Sequence, residues 1–224
     1  MRKKVLITLL LCVAWAWDAD AQNTIESIRK AYQDVHEQIA RMTPDEEGMW
    51  QMPPQYFDLQ VVQNLPATGP HRENIRFFYG ELEPENEEEE EMYNPYPPHY
   101  LHFATAKYNF AVREFYEEYL YDNKGNIMFI YVITPDVVID GNMDYYELRM
   151  WFDGKRLLRF TAKKFERPLD FDNPDIASLC KGAFNEEYSG TSVPEKYQRE
   201  ATRCQQRAQR FLTMFKGIDD NTYL

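Results

Sequence analysis

The chain has 224 residues, with 37 Asp or Glu against 25 Lys or Arg and a net charge of −12. Such a surface, without a basic patch, cannot release counterions from a phosphate backbone, which argues against nucleic acid and anionic membrane surfaces as partners. Aromatic residues make up 15% of the chain, enough for a core, so a disordered chain is also excluded.

Residues 1–21 have the layout of a cleavable export signal. Arg2, Lys3 and Lys4 come first, Val5 to Trp17 is apolar except for Thr8, and Ala19-Asp20-Ala21 supplies small residues at the cleavage point. The apolar run falls short of the about 20 residues of a permanent membrane helix, and no later segment approaches it, so no transmembrane segment is expected after cleavage. A lipid anchor at Cys12 is not expected, because Leu11 stands where a small residue is needed. The expectation is an exported protein, periplasmic or extracellular, whose residues 22–224 form a single secreted α+β domain. Outside the cytosol the two remaining cysteines, Cys180 and Cys204, are expected to form a disulfide.

The next signal is a helix. Ile25, Ile28, Tyr32, Val35, Ile39 and Met42 recur every three or four residues and share one face. From Pro53 to Ala162 the pattern changes to strands: Tyr56–Val62, Ile75–Tyr79, one or two in Leu101–Tyr121, Ile127–Ile133, Tyr145–Phe152 and Arg156–Thr161. The Ile127–Ile133 run is apolar throughout, as in a strand covered on both faces. Turns are expected at Asp122–Asn126 and around Asp153-Gly154. For the latter, a three-residue turn over Phe152-Asp153-Gly154 would pair Leu148 with Leu158 and Tyr146 with Phe160. The segments Tyr116–Tyr121 and Tyr146–Trp151 share a Tyr-Glu-x-x-apolar-aromatic frame, which suggests a repeated hairpin unit in a meander.

Two helices are expected to follow. The first starts at Asn173-Pro174 and carries Ile176, Cys180, Ala183 and Phe184 on one face. A capping box at Ser192–Glu195 opens the second, on which Tyr197, Ala201, Cys204, Ala208, Phe211, Leu212 and Phe215 form the apolar stripe, and Gly217 is the expected end. The fold class is therefore α+β: an antiparallel β-meander sheet packed with an N-terminal helix and two C-terminal helices.

Candidate sites are few. An acidic loop at residues 81–92 contains Glu87, Glu88, Glu89, Glu90 and Glu91, whose mutual repulsion keeps them hydrated and open to a basic protein or a cation. Beside it, Tyr93, Tyr96 and Tyr100 offer a platform of rings. Arg199, Arg203, Arg207 and Arg210 fall within about 80° of helical arc, a cationic line in an acidic protein. Pro53-Pro54-Gln55-Tyr56 and Pro97-Pro98-His99-Tyr100 resemble the ligand motif of WW domains, but a rigid lead-in to a strand explains both. His99 and His102, three apart on a strand, point to opposite faces and make no zinc set, so neither a metal nor a cofactor is expected. No nucleophile elbow, metalloprotease motif or phosphate-cradling loop occurs. The composite expectation is a non-catalytic exported binding module, with a basic protein as the favoured partner. A carboxylate-dependent hydrolase and a helix-mediated assembly protein are the alternatives.

Overall fold

The computed structural model describes residues 24–41, 55–82, 97–135, 145–165 and 185–222. Helix α1 covers 24–40 and turns Ile28 and Val35 inward, with Ile25, Tyr32 and Ile39 beside them, as their spacing requires. Eight strands follow: β1 (Gln55–Leu65), β2 (Gly69–Glu81), β3 (His99–Phe110), β4 (Arg113–Tyr121), β5 (Ile127–Pro135), β6 (Tyr145–Asp153), β7 (Arg156–Phe165) and β8 (Asn185–Gly190). They form one antiparallel sheet in chain order, each strand paired with the next. Helix α2 (Glu195–Thr222) closes the described chain.

Strand alternation divides the sheet into two apolar faces. One carries Phe77, Tyr119, Ile130, Val132, Leu148, Met150 and Phe160 and receives Tyr197, Ala201, Cys204, Ala208, Phe211 and Phe215 of α2. The other carries Phe78, Phe103, Leu120, Phe129, Ile133 and Trp151 and receives Ile28 and Val35 of α1. The sheet is thus the middle of three layers. Strand β5 lies at its centre and is buried on both faces, which is why its sequence shows no polar alternation. Pairing irregularities keep the faces consistent. A register shift between Phe78 and Tyr79 leaves His102 unpaired, so Leu101 and Ala104 share the α2 face.

The Asp122–Asn126 turn forms as expected. Asp122 Oδ1 accepts the backbone N–H groups of Lys124 (2.9 Å) and Asn126 (2.7 Å), and Gly125 takes φ +80°. A Cβ at Gly125 would also lie 3.1 Å from Leu212 Cδ2 on α2. Gly125→Ala should therefore cost about 1–3 kcal/mol, read as a lower urea midpoint with an unchanged m-value.

Four local expectations need correction. The β6–β7 hairpin turns over Gly154-Lys155, with Asp153 facing Arg156, Leu148 facing Ala162 and Met150 facing Phe160. The extra residue sits at Leu158 in β7 rather than in the turn, and it brings Arg159 opposite Trp151. The shared Tyr-Glu frame does not mark equivalent positions, because Glu117 faces α2 whereas Glu147 lies beside Ile133 on the α1 side. Ser192 does not box the start of α2; its hydroxyl lies 3.2 Å from that of Tyr188. Gly217 does not stop α2, which continues because Ile218 packs on the core and Asp219 reaches His99 Nδ1 at 2.9 Å.

Among the described residues one C-terminal helix is present. The one expected from Asn173 lies outside them, and the polar edge strand β8, Asn185–Gly190, has no apolar alternation to mark it in the sequence. Cys204 is a free, buried thiol, not half of a disulfide. Its helix face packs on the sheet, and Cys180 lies outside the described residues. Burial raises the Cys204 thiol well above its ordinary value despite the guanidinium of Arg203 beside it. Alkylation should therefore spare Cys204 in the folded protein and reach it in denaturant, which a mass measurement of the labelled peptide checks.

Candidate functional site

Polar groups inside the fold start from two adjacent residues. Glu117 and Glu118 of β4 point to opposite faces, and both are buried. Burial alone would push each carboxyl up, yet both are held below the ordinary value of 4.5 by the cations and hydroxyls around them.

On the α2 face, Glu117 accepts the hydroxyls of Tyr108 (2.7 Å) and Tyr119 (2.6 Å) and the Nη2 of Arg203 (2.7 Å). Arg207 Nε lies 2.6 Å from its other oxygen as an ion pair, without the alignment of a hydrogen bond. Glu200 holds Arg203 at 2.6 Å, and Glu73 holds Arg207. Arg207 also lies over the rings of Tyr108 and Phe211. This network fixes α2 to the sheet. Glu117 and Glu200 are 0% and 1% exposed, so the two carboxylates that flank Arg203 are closed to a substrate.

Of the arginine line expected on α2, then, Arg203 and Arg207 turn inward to these carboxylates, while Arg199 and Arg210 are exposed. Tyr100 lies against the sheet, its ring 3.0 Å from where a Gly80 Cβ would stand, and meets His102 edge-on. Tyr93, Tyr96 and Glu87, Glu88, Glu89, Glu90 and Glu91 lie outside the described residues.

On the α1 face, Glu118 accepts the hydroxyls of Tyr116 (2.6 Å) and Tyr32 and faces His36 Nε2 at 3.2 Å. The buried Glu147 nearby is ringed by Arg149 Nη2 (3.1 Å), Lys163 Nζ (3.7 Å) and the Tyr131 hydroxyl (3.3 Å). Burial works against the Arg149 charge, but the Glu147 carboxylate more than restores it and raises the guanidinium above its ordinary value.

Beside these groups α1 and the sheet part to leave a cavity of about 350 Å³. Ile28, Arg29, Tyr32 and Gln33 of α1 form its roof. Its floor holds Phe129 and Trp151 together with Arg149, Arg159, Thr161 and Lys163, and Glu186 of β8 stands at its side. The β7 bulge is what aims Arg159 here: its guanidinium carbon lies 5.7 Å from the Trp151 ring centroid, and that of Arg29 lies 5.9 Å from the same centroid. Arg159 donates to Ser189 Oγ at 3.0 Å. Among the described residues neither Arg29 nor Arg159 has a carboxylate within ion-pair distance. A larger cleft of about 630 Å³ lies by β1–β3, but its charges balance, with Arg72 and Lys107 against Glu73 and Glu114.

The cations of this cavity are scattered over α1, β6 and β7 in the sequence and converge only through strand pairing and the bulge. Among the described residues no group of three His, Cys, Asp or Glu side chains could hold a metal ion, and no helix is long and apolar enough to cross a membrane. The chain matches no family model, no curated protein and no solved structure.

Proposed function

We propose that the protein is a non-catalytic, exported binding module, working in the periplasm or outside the cell, and that the cavity between α1 and β5–β8 is its ligand site. The observation that carries this reading is the gathering of Arg29, Arg149, Arg159 and Lys163 around one cavity in a chain of net charge −12. The size suits a small ligand, since such sites start at about 300 Å³. The order of charge, apolar run and small residues in 1–21 supports export. Against a hydrolase stands the state of the buried carboxylates: Glu117, Glu118, Glu147 and Glu200 are each engaged by cations or hydroxyls of the protein itself.

The test uses the chain beginning at Gln22 and a panel of small acids, alcohols and amines. A ligand at one hundred times its Kd should stabilise the fold by about 2.7 kcal/mol, seen as a rise in Tm, while mass spectrometry shows the compound unchanged. Chemical turnover of any member would remove the non-catalytic reading; no rise with any member would remove the cavity as a site. A basic protein partner at Glu87–Glu91 is a second reading, favoured by the net charge, and its complex would weaken steeply with added salt.

A further inference from the structure

We infer that the cavity takes a small organic anion, with an acid group held between Arg29 and Arg159 and an apolar, planar body lying along Trp151 and Phe129. The inference rests on the reading of the cavity as a ligand site and adds the class of ligand.

Charge comes first. Glu147 is already matched by Arg149 and Lys163 at the cavity floor. Arg29 and Arg159 then bring two further positive charges, one from the roof and one from the floor, toward the same indole. Glu186 is the only carboxylate among the described lining residues, and it lies beyond ion-pair distance of both. Arg29 is exposed and Arg159 half-buried, and two like charges brought to the mouth of one cavity repel each other. An anion between them relieves that repulsion. Guanidinium groups also offer paired N–H donors that match the two oxygens of an acid group.

Shape supplies the rest. Trp151 and Phe129 meet with ring centroids 5.1 Å apart, and with Ile28 they bound the cavity as closely packed apolar side chains, 4%, 4% and 2% exposed. An inorganic ion would leave these apolar walls unused. A neutral aromatic compound would leave the two guanidiniums unmatched. The Thr161 hydroxyl and the Gln33 amide, also in the lining, provide neutral polar groups to orient the ligand.

The experiment uses 2-naphthoate, its uncharged counterpart 2-naphthylmethanol, and inorganic phosphate. In a Trp50→Phe background of the chain beginning at Gln22, Trp151 is the one tryptophan left and reports directly from the cavity. Expected are saturable quenching by 2-naphthoate, at least tenfold weaker binding of the other two probes, and at least tenfold weaker naphthoate binding in Arg29→Met and in Arg159→Met. Arg29 is exposed, so its variant retains the fold even if Arg159→Met does not. Lys216→Met, on the exposed side of α2, should bind as the parent does. Equal binding of the alcohol would leave a ligand site but overturn the anion assignment, as would phosphate binding as tightly as naphthoate. Naphthoate affinity unchanged in both arginine variants would overturn it as well. No response to any probe would overturn the inference and the ligand-site reading together.

Discussion

Glu117→Ala is expected to lower the unfolding free energy by about 3–5 kcal/mol, a large part of the about 5–15 kcal/mol that holds a typical domain. The effect comes from what remains after the change. Arg203 and Arg207 would lose their shared anion while Tyr108 and Tyr119 would lose an acceptor, all under α2. Glu117→Gln, which keeps an acceptor but not the charge, should cost less. The same carboxylate makes stability depend on pH. Burial raises its pKa, but Arg203 and Arg207, then the two tyrosine hydroxyls, lower it further, so the folded value lies below 4.5. Its contribution is complete above 4.5 and is lost as pH falls through the folded value. Urea unfolding of both variants at pH 7 and across the acid range would check this. An alanine variant within about 1 kcal/mol of the parent would mean that α2 is held by apolar packing alone.

The layers of the fold were legible because their signals are periodic. The stripe Ile25–Ile39 and the stripe Tyr197–Phe215 each specify a helix face, and the two-sided apolar run of β5 specifies the centre of a sheet. Register was not legible where it depends on a bulge. The sequence around Asp153-Gly154 admits several hairpins, and the one formed places its irregularity at Leu158, three residues beyond the turn. The arginine line of α2 shows the same limit for charge. Helical spacing puts Arg199, Arg203, Arg207 and Arg210 along one side, but only the sheet decides which two meet a carboxylate. The cavity was the least legible, since Arg29 and Arg159 are 130 positions apart in sequence and become neighbours only when α1 lies across β7.

Glu118→Ala should loosen α1 while leaving α2 in place. Glu118 is the acceptor for Tyr32 and His36, both on α1, and losing even one hydrogen bond to a charged group costs about 1.5–3 kcal/mol. Two titrations define when this attachment is strong. Burial lowers the His36 pKa, but the hydrogen bond and charge of Glu118 raise it further, so His36 ends above its ordinary 6.5. A raised histidine contributes stability that is complete below 6.5 and lost as pH rises through the folded value. Burial raises Glu118, while His36 and the hydroxyls of Tyr116 and Tyr32 bring it below 4.5, so its contribution is lost as pH falls below that value. The attachment is therefore strongest between 4.5 and 6.5. Hydrogen exchange of the α1 amides, measured against pH and corrected for intrinsic exchange, should show greatest protection in that window and a flat, lower profile in Glu118→Ala. His36→Gln should remove the alkaline loss and keep the acid one. Since α1 is also the roof of the cavity, the same titrations should govern how firmly a ligand is enclosed, with the off-rate of a bound anion rising as His36 loses its proton. An exchange profile for α1 identical in parent and Glu118→Ala would show that Ile28 and Val35 hold the helix without help from the buried carboxylate.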